Sequence, residues 1–481
     1  MNKFYLFKTV AISLLLLSLS SQFHAQIYSE QSLNGANGGQ NTIVVKSVDL
    51  DNDNDIDLVL GNEFQKNSVL YNLGNGQFVM GNNGFVTTEN DTEDIGLGDF
   101  DQDGDVDVIF INQGGFGHEY YKNDGNGNFV VAGFLPATNG GAIVVGDVNN
   151  DSFLDVIIGN INQVNFCMIN NGDGSFTNES NIRLPGLVRS TDYLLLEDID
   201  ADGDLDMFVA NRDGNQILIN DGTGIFDDQS AQRLPQGIEM DTRNASFGDI
   251  NNDGKPDLFL SNVQFNSNKD PQNRLYINES NGFFTDLTAS LLPQEPNQTT
   301  NSLFHDIDED GVLDLLITNV LGDPLEALLN DGTGKFTIRT NDVISPMVTT
   351  MEAWGLVVAD LTNDNFQDVY VSSRTGIDAF LPGDPEGMIL VSTSDILENS
   401  DYVVFPNPVL DGMYLQHPID FNPSNIQIFS ATGQLVDSPK FRNLEPAVSQ
   451  LELTKKLVSG LYFLKLQNDE GAAVLLKVRM E

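Results

Sequence analysis

Asp99–Asp107 reads DFDQDGDVD, and the way this stretch recurs decides the fold. Carboxylates stand at its first, third, fifth and ninth places, and a glycine that permits a sharp turn stands at the sixth. Oxygen-bearing side chains at alternate places of a tight loop are how a chain builds a site for a hard cation. The pattern occurs seven times: DLDNDNDID (Asp49–Asp57), DFDQDGDVD, DVNNDSFLD (Asp147–Asp155), DIDADGDLD (Asp198–Asp206), DINNDGKPD (Asp249–Asp257), DIDEDGVLD (Asp306–Asp314) and DLTNDNFQD (Asp360–Asp368). The starts lie 50, 48, 51, 51, 57 and 54 residues apart. A period near 50 is the mark of a repeat architecture.

Outward from each loop the chain reads as strands. GAIVVGD precedes the third loop and VIIGN follows it, and MFVAN, LFLSN and LLITN take that second place elsewhere. About ten residues further on comes a hairpin such as LYNLGNGQF, YYKNDGNGNF or LINDGTGIF, whose Asn-Gly and Asp-Gly pairs supply the positive φ angles of tight turns. Four strands in about 50 residues make one propeller blade. The seventh unit lacks the hairpin, and Ile27–Ser32 (IYSEQS) resembles the strands that follow the other hairpins. It is expected to complete the seventh blade and close the ring, which removes open sheet edges. The expected fold is all-β: a seven-bladed β-propeller with calcium loops over 26–390, a linker at 391–401, and a small C-terminal β-sandwich at 402–481.

The candidate metal ligands follow from the loop positions. They are Asp49, Asp51, Asp53 and Asp57; Asp99, Asp101, Asp103 and Asp107; Asp147, Asn149, Asp151 and Asp155; Asp198, Asp200, Asp202 and Asp206; Asp249, Asn251, Asp253 and Asp257; Asp306, Asp308, Asp310 and Asp314; and Asp360, Asp364 and Asp368. Position seven offers a backbone carbonyl. Calcium accepts six to eight oxygens, magnesium demands stricter geometry, and transition metals would want the His or Cys that the loops lack. The expected cofactor is Ca2+, up to seven ions with a structural role. Loops 3, 5 and 7 carry Asn149, Asn251 and Thr362 at position three, so four stronger and three weaker sites are expected. An EF-hand would need Glu at position twelve; here that position is Leu60, Phe110, Ile158, Val209, Leu260, Ile317 or Val371.

The loops followed by N-x-G-x-G-x-F resemble FG-GAP/VCBS repeats, the calcium-binding blades of integrin-α-like propellers, over residues 26–390. The resemblance implies calcium at the aspartates above. It leaves the ligand open, because such propellers serve adhesion, lectin-like recognition and, in some lyases, catalysis.

Composition agrees with export. The 481 residues hold 23 Lys+Arg against 70 Asp+Glu, a net charge of −47, with 40% hydrophobic residues and one cysteine. Sixty-one of the acids lie in 26–399. So acidic a surface repels phosphate backbones, so no nucleic-acid partner is expected. One cysteine, Cys167, excludes a disulfide framework and reads as core. Residues 1–25 read as a signal peptide, with Lys3 and Lys8 ahead of the apolar run Val10–Leu19 and cleavage after Ala25. No stretch suits a transmembrane helix. The tail carries VVFPNPV (Val403–Val409), IQIFSATGQLV (Ile426–Val436) and SGLYFLKLQN (Ser459–Asn468), and resembles type IX secretion sorting domains over 402–481. This implies engagement with the type IX machinery and a secreted, extracellular or outer-surface location.

No catalytic constellation is visible. His118, His305 and His417 lie far apart, and no nucleophile elbow or phosphate loop occurs. Trp354 reads as core. Phe64, Phe116, His118, Tyr120 and Phe265 are candidates for an aromatic rim on the face opposite the acidic loops. Asn62, Asn112, Asn160, Asn211, Asn262 and Asn319 recur just after the second strand and read as turn formers. The functional expectation is adhesion or ligand binding, with a glycan or surface protein as partner. A polysaccharide-active lyase and a calcium-stabilised scaffold are the alternatives.

Overall fold

A computed structural model describes residues 23–28, residues 40–391 apart from 82–83, 86–88, 266–268, 295–296, 309, 322–324, 345–351 and 375–377, and most of 403–480. The chain divides into two compact units, Gln26–Pro385 and Met1–Ala25 with Glu386–Glu481.

The larger unit is a succession of antiparallel meanders in chain order. The first runs Thr42–Val48, Asp57–Asn62, Ser68–Asn72 and Phe78–Gly81. Its equivalents occupy residues 92–135, 140–178, 188–228, 242–286 and 299–338, and a three-stranded one occupies 353–381. Asp155–Val164 runs on to pair with Val188–Glu197, which merges the third and fourth into one sheet. The first strand of each meander packs against the first strand of the next, and Ala353–Ala359 packs against Thr42–Val48. The circuit therefore closes on itself, as propeller-like repeats do.

Sequence pattern explains the layering. The second strands are short unbroken apolar runs such as DLVLGN, DVIFIN and DLLITN, and they are buried along their whole length. Their alternate side chains feed two neighbouring interfaces. Leu58, Leu60 and Leu70 of the first meander pack with Tyr370 and Phe380 of the last. Val59 and Val69 turn the other way, onto Val108, Phe110 and Tyr121.

The strand expected to complete the seventh meander does not do so. Phe23–Tyr28 forms a separate two-stranded sheet with Gly383–Val391, because the chain runs on after Ala379–Leu381 into a strand that takes this partner instead. Residues 29–32 and the body of the expected signal peptide lie outside the described residues. The C-terminal unit has two four-stranded antiparallel sheets, each in two-dimensional order distinct from the chain order. Leu415 and Leu451 of one, and Ile426, Ile428 and Leu464 of the other, are buried, the pattern of a small sandwich core.

The recurring asparagines at the end of the second strands are latches rather than turn formers. Each is buried. The Thr42, Thr92, Thr191, Thr242 and Thr299 hydroxyls donate to Oδ1 of Asn62, Asn112, Asn211, Asn262 and Asn319 at 2.7–3.0 Å. A second asparagine then ties one meander to the next: Asn67 Oδ1 accepts from the Asn62 N–H and its Nδ2 donates to Thr92. Asn165, Asn215 and Asn273 repeat this. Between the second and third meanders His118 takes the part. Its Nδ1 accepts from the Asn112 N–H at 3.1 Å and its Nε2 meets Thr138 Oγ1 at 2.7 Å. Thr138 itself donates to Asn160, so Nε2 carries the imidazole proton and Nδ1 must stay bare. His118 and Tyr120 are accordingly buried and belong to no aromatic rim, whereas Phe64, Phe116 and Phe265 are exposed.

Burial holds His118 down to about 4, below its ordinary 6.5. The unfolded chain thus takes up the proton first as pH falls, and stability is lost from about pH 6.5 down to about 4. His118→Asn restores the asparagine of the other latches. It is expected to match the wild type at pH 7 and to recover about 2 kcal/mol of the wild-type loss at pH 5, measured by urea denaturation of both proteins at the two pH values.

Candidate metal centre

Each acidic loop is wound by its own backbone. In the second, Asp99 Oδ1 accepts from the Asp103 N–H and Oδ2 from the Gly104 N–H, and Asp103 Oδ1 accepts from the Asp105 N–H. The same bonds recur from Asp147, Asp198, Asp249, Asp306 and Asp360. Two residues, the fourth and the sixth, are left-handed in each of the six loops described in full. The sixth was expected from its Gly, Asn or Ser. The fourth was missed, and it holds Asn52, Gln102, Asn150, Ala201, Asn252 and Asn363 at φ 56–63°. Its side chain reaches the following loop: Asn52 Nδ2 to Asp105 at 3.0 Å, Asn150 Nδ2 to Asp204 at 2.8 Å, and Asn363 to Asp55 across the closure.

Position nine is the most constrained. Asp57, Asp107, Asp155, Asp206, Asp257, Asp314 and Asp368 are buried. In the fourth loop Asp206 Oδ1 accepts from the Asn220 N–H at 2.8 Å and Oδ2 from the Ile199 N–H at 3.1 Å. The hairpin asparagine then reaches further. Asn220 Nδ2 donates to the Val148 carbonyl in the preceding loop, as Asn72, Asn123, Asn170, Asn278 and Asn330 do to Leu361, Leu50, Phe100, Ile199 and Ile250. Burial pushes the carboxyls of Asp57, Asp206 and Asp314 up to about 7 and those of Asp107, Asp155, Asp257 and Asp368 up to about 6, against the pull of the amide donors.

The other carboxylates converge. Among the described residues Asp49, Asp51 and Asp53 bring oxygens within 4.8 Å of one another, as do Asp99, Asp101 and Asp103; Asp198, Asp200 and Asp206; and Asp306, Asp308 and Asp314. These four loops are the ones with Asp at position three. Several of their oxygens are buried without any hydrogen-bond donor: Asp49 Oδ1, Asp51 Oδ1, Asp101 Oδ1 and Asp200 Oδ1, joined by Asp257 Oδ2 and Thr362 Oγ1 in the fifth and seventh loops. A buried carboxylate oxygen without a donor is costly, and a cation satisfies it. Asp101 and Asp200 make the division plain. Their Oδ2 atoms pair with Lys122 at 2.7 Å and Arg233 at 3.0 Å while Oδ1 is left open. In the fifth loop Lys255, at position seven, pairs with Asp253 at 2.8 Å and competes for that carboxylate. The residues therefore fit a hard divalent cation, and the acidic clusters could hold several.

Among the described residues the candidate metal-ligating clusters are made of aspartates alone. His118 is spent in its latch, and His305 is held below its ordinary value by burial. His417 lies outside the described residues. Cys167 is buried, with its thiol pushed up to about 12.

The two roles within a loop are separable. Asp206→Ala leaves two buried N–H groups unpaired and is expected to cost about 2–4 kcal/mol even in chelator. Asp202→Ala in chelator is expected to cost under about 1 kcal/mol, because its bond is solvent-exposed. Chemical denaturation with excess chelator checks both.

Residues 49–110, 99–158, 198–260 and 306–371 match the FG-GAP-like repeat family, and residues 403–478 match the secretion system C-terminal sorting domain. The chain is similar to Cartilage acidic protein 1 of Xenopus tropicalis, 24% identical over 213 residues, which is 42% of this chain and 32% of that protein. It is 25% identical over 197 residues to the Homo sapiens protein of the same name, covering 39% and 29%. The chain thus spans about a third of the length of these relatives. Among solved structures, BBS1N in complex with ARL6DN superposes with a TM-score of 0.51 at 10% identity, over 76% of this chain and 99% of that one, a likeness of fold alone.

Proposed function

We propose that this chain, which carries FG-GAP-like repeats and a type IX secretion sorting domain, is a calcium-loaded seven-bladed propeller that works outside the cell as a binding or adhesion module. The sorting domain sets the location: the protein is exported, to be secreted or displayed at the cell surface. Among the described residues no helix is long and apolar enough to cross a membrane. The blade count rests on seven meanders whose first strands form one closed circuit.

The observation that carries the calcium reading is the set of buried carboxylate oxygens without donors in the acidic loops. In this reading Asp49, Asp51 and Asp53, and their equivalents at positions one, three and five, hold the ion with the position-nine carboxylate and the position-seven carbonyl. Loops 3 and 5, with Asn at position three, and loop 7, with Thr362, bind more weakly. Calcium supplies charge only: it offsets repulsion among acids and locks the loops, so the opposite face is presented rigidly. Rigidity favours binding over a large surface, because little order is lost on association. Among the described residues His118 and Cys167 are buried in the framework, which favours a binding module over a lyase.

Extracellular sites often have dissociation constants of about 0.1–1 mM, and at tenfold excess each contributes about 1.4 kcal/mol. Four such sites give about 6 kcal/mol, so chelation is expected to lower the melting temperature by about 7 °C. Calorimetry of the protein with calcium and with chelator, alongside elemental analysis expected to find at least four calcium ions per chain, tests this. Unchanged melting and no bound calcium would overturn it.

A further inference from the structure

Every meander of the ring interrupts its first strand at one place. Pairing with the second strand shifts register between Thr42 and Val44, Thr92 and Asp94, Gly140 and Ala142, Thr191 and Tyr193, Thr242 and Asn244, Thr299 and Asn301, and Ala353 and Gly355. The extra residue of a β-bulge leaves the ladder and its side chain is re-aimed. The seven bulge residues are Ile43, Glu93, Gly141, Asp192, Arg243, Thr300 and Trp354, and all seven line one cavity of about 260 Å³ among the first strands. The cavity lies at the end of those strands remote from the acidic loops.

The chemistry of this ring is unlike that of the framework. The neighbouring latch position is Thr in five of seven repeats, whereas the bulge position holds seven different residue types. A repeat that keeps its joints identical and varies one inward position has left that position free for recognition. Gly141 is forced, since a Cβ there would meet the Thr191 carbonyl at 2.4 Å, and its missing side chain lets Glu93 and Asp192 face each other. Trp354, expected in the core, lines the cavity instead, and its indole N–H is buried without an acceptor. Asp91 Oδ1, two residues before Glu93, is buried without a donor.

We infer that this bulge ring is a binding site for a neutral saccharide residue, an inference that rests on the binding-module reading and gives that module its site and ligand class. A cation is disfavoured because guanidiniums already occupy the acids. Arg212 grips Asp192 through two bonds of 2.7 Å, Arg243 grips Asp241, and Arg374 pairs with Glu63. Arg374 also covers the Trp354 ring, 5.1 Å from its centre. An anion is disfavoured by Glu93 and Asp192, which line the cavity. Burial, reinforced by Asp91 and Asp192, pushes Glu93 up to about 8, so near neutral pH it both donates and accepts. The Trp354 indole, the Glu93 and Asp192 carboxyls and the Thr300 hydroxyl, all on the cavity lining, suit a ligand of hydroxyl groups. The volume lies below the ≈300–1,000 Å³ of drug-sized pockets and suits one sugar ring, not a threaded polymer.

The test titrates the full calcium-loaded chain with a panel of neutral mono- and oligosaccharides, with uronic-acid oligosaccharides and basic peptides alongside. Trp354→Phe removes the indole donor and keeps a ring; Glu93→Gln keeps size; Phe134→Ala alters an exposed side chain on the outer edge of the second meander. The expected result is binding of a neutral sugar, weakened tenfold or more by each of the first two variants, with unchanged melting, and untouched by the third. Sugar binding indifferent to Trp354→Phe and Glu93→Gln would overturn the site while leaving the module reading intact. Binding confined to acidic sugars or basic peptides would overturn the ligand class. Silence across the panel would also overturn the sugar assignment, while calcium loading stands or falls by its own calorimetry.

Discussion

The hydrogen bonds of one asparagine in each of six repeats hold the ring together. The main-chain N–H of Asn220 binds the buried carboxylate of its own loop, and its side-chain amide reaches the backbone of the loop before. The Asn72 amide makes the same reach to Leu361 and so joins the last repeat to the first. Six of the acidic loops are thereby fixed twice, once by the strand that follows and once by the neighbouring repeat. The position-nine carboxylate of Asp206 is buried with an amide donor on each oxygen, and losing such a donor leaves a buried charge uncompensated, which is costly.

Fixing the loops so tightly crowds their acids. Two carboxylate charges within 4.8 Å repel by roughly 3.5 kcal/mol at an effective dielectric of 20, and four of the loops hold such a cluster. Lys122 and Arg233 relieve the outer oxygens of Asp101 and Asp200, but the inner oxygens stay open. In the loops with Asp at position three, the backbone commits its N–H groups to positions one, five and nine, and at position three Asp51 Oδ1, Asp101 Oδ1 and Asp200 Oδ1 are left without a donor, open to a cation. Position three is also where the sequence varies, from Asp to Asn to Thr362. In the third and fifth loops Asn149 and Asn251 accept from the N–H of position five at 3.0 Å, so the amide joins the framework there.

Much of this was legible because it is local. The nine-residue spacing, the turn residue at position six and the Gly-rich hairpin act within a few residues of one another, so the sequence shows them side by side. The left-handed residue at position four escaped notice because Gln102 and Ala201 carry no turn signature; the loop bonds impose the conformation. The threonine–asparagine latch joins residues about twenty apart on paired strands, and its meaning appears only once the strands are in register. The recurrence of Asn62 and its equivalents was visible, but its partner Thr42 was not sought. Trp354 was misread for the same reason: an apolar residue in a strand reads as core, and only a bulge turns it to the axis. The closing strand at Ile27–Ser32 was inferred by likeness to other outer strands, yet the chain beyond Leu381 supplied a different partner.

Symmetry divides the molecule's labour. Positions that recur in every repeat are occupied by bonds: Asp206 and its equivalents with amides, Asn211 and its equivalents with threonines. A residue held on several sides cannot change without breaking a joint, so such positions converge on one solution. The bulge position is bonded to neither neighbour through the ladder, and its side chain faces shared space at the axis. There the repeats stop resembling one another, and the carboxylates, guanidiniums and indole of seven different strands meet. A closed ring concentrates its unlike residues where its strands come closest, and this makes the axial cavity, rather than any single surface loop, the place where a ligand would touch most of the repeats at once.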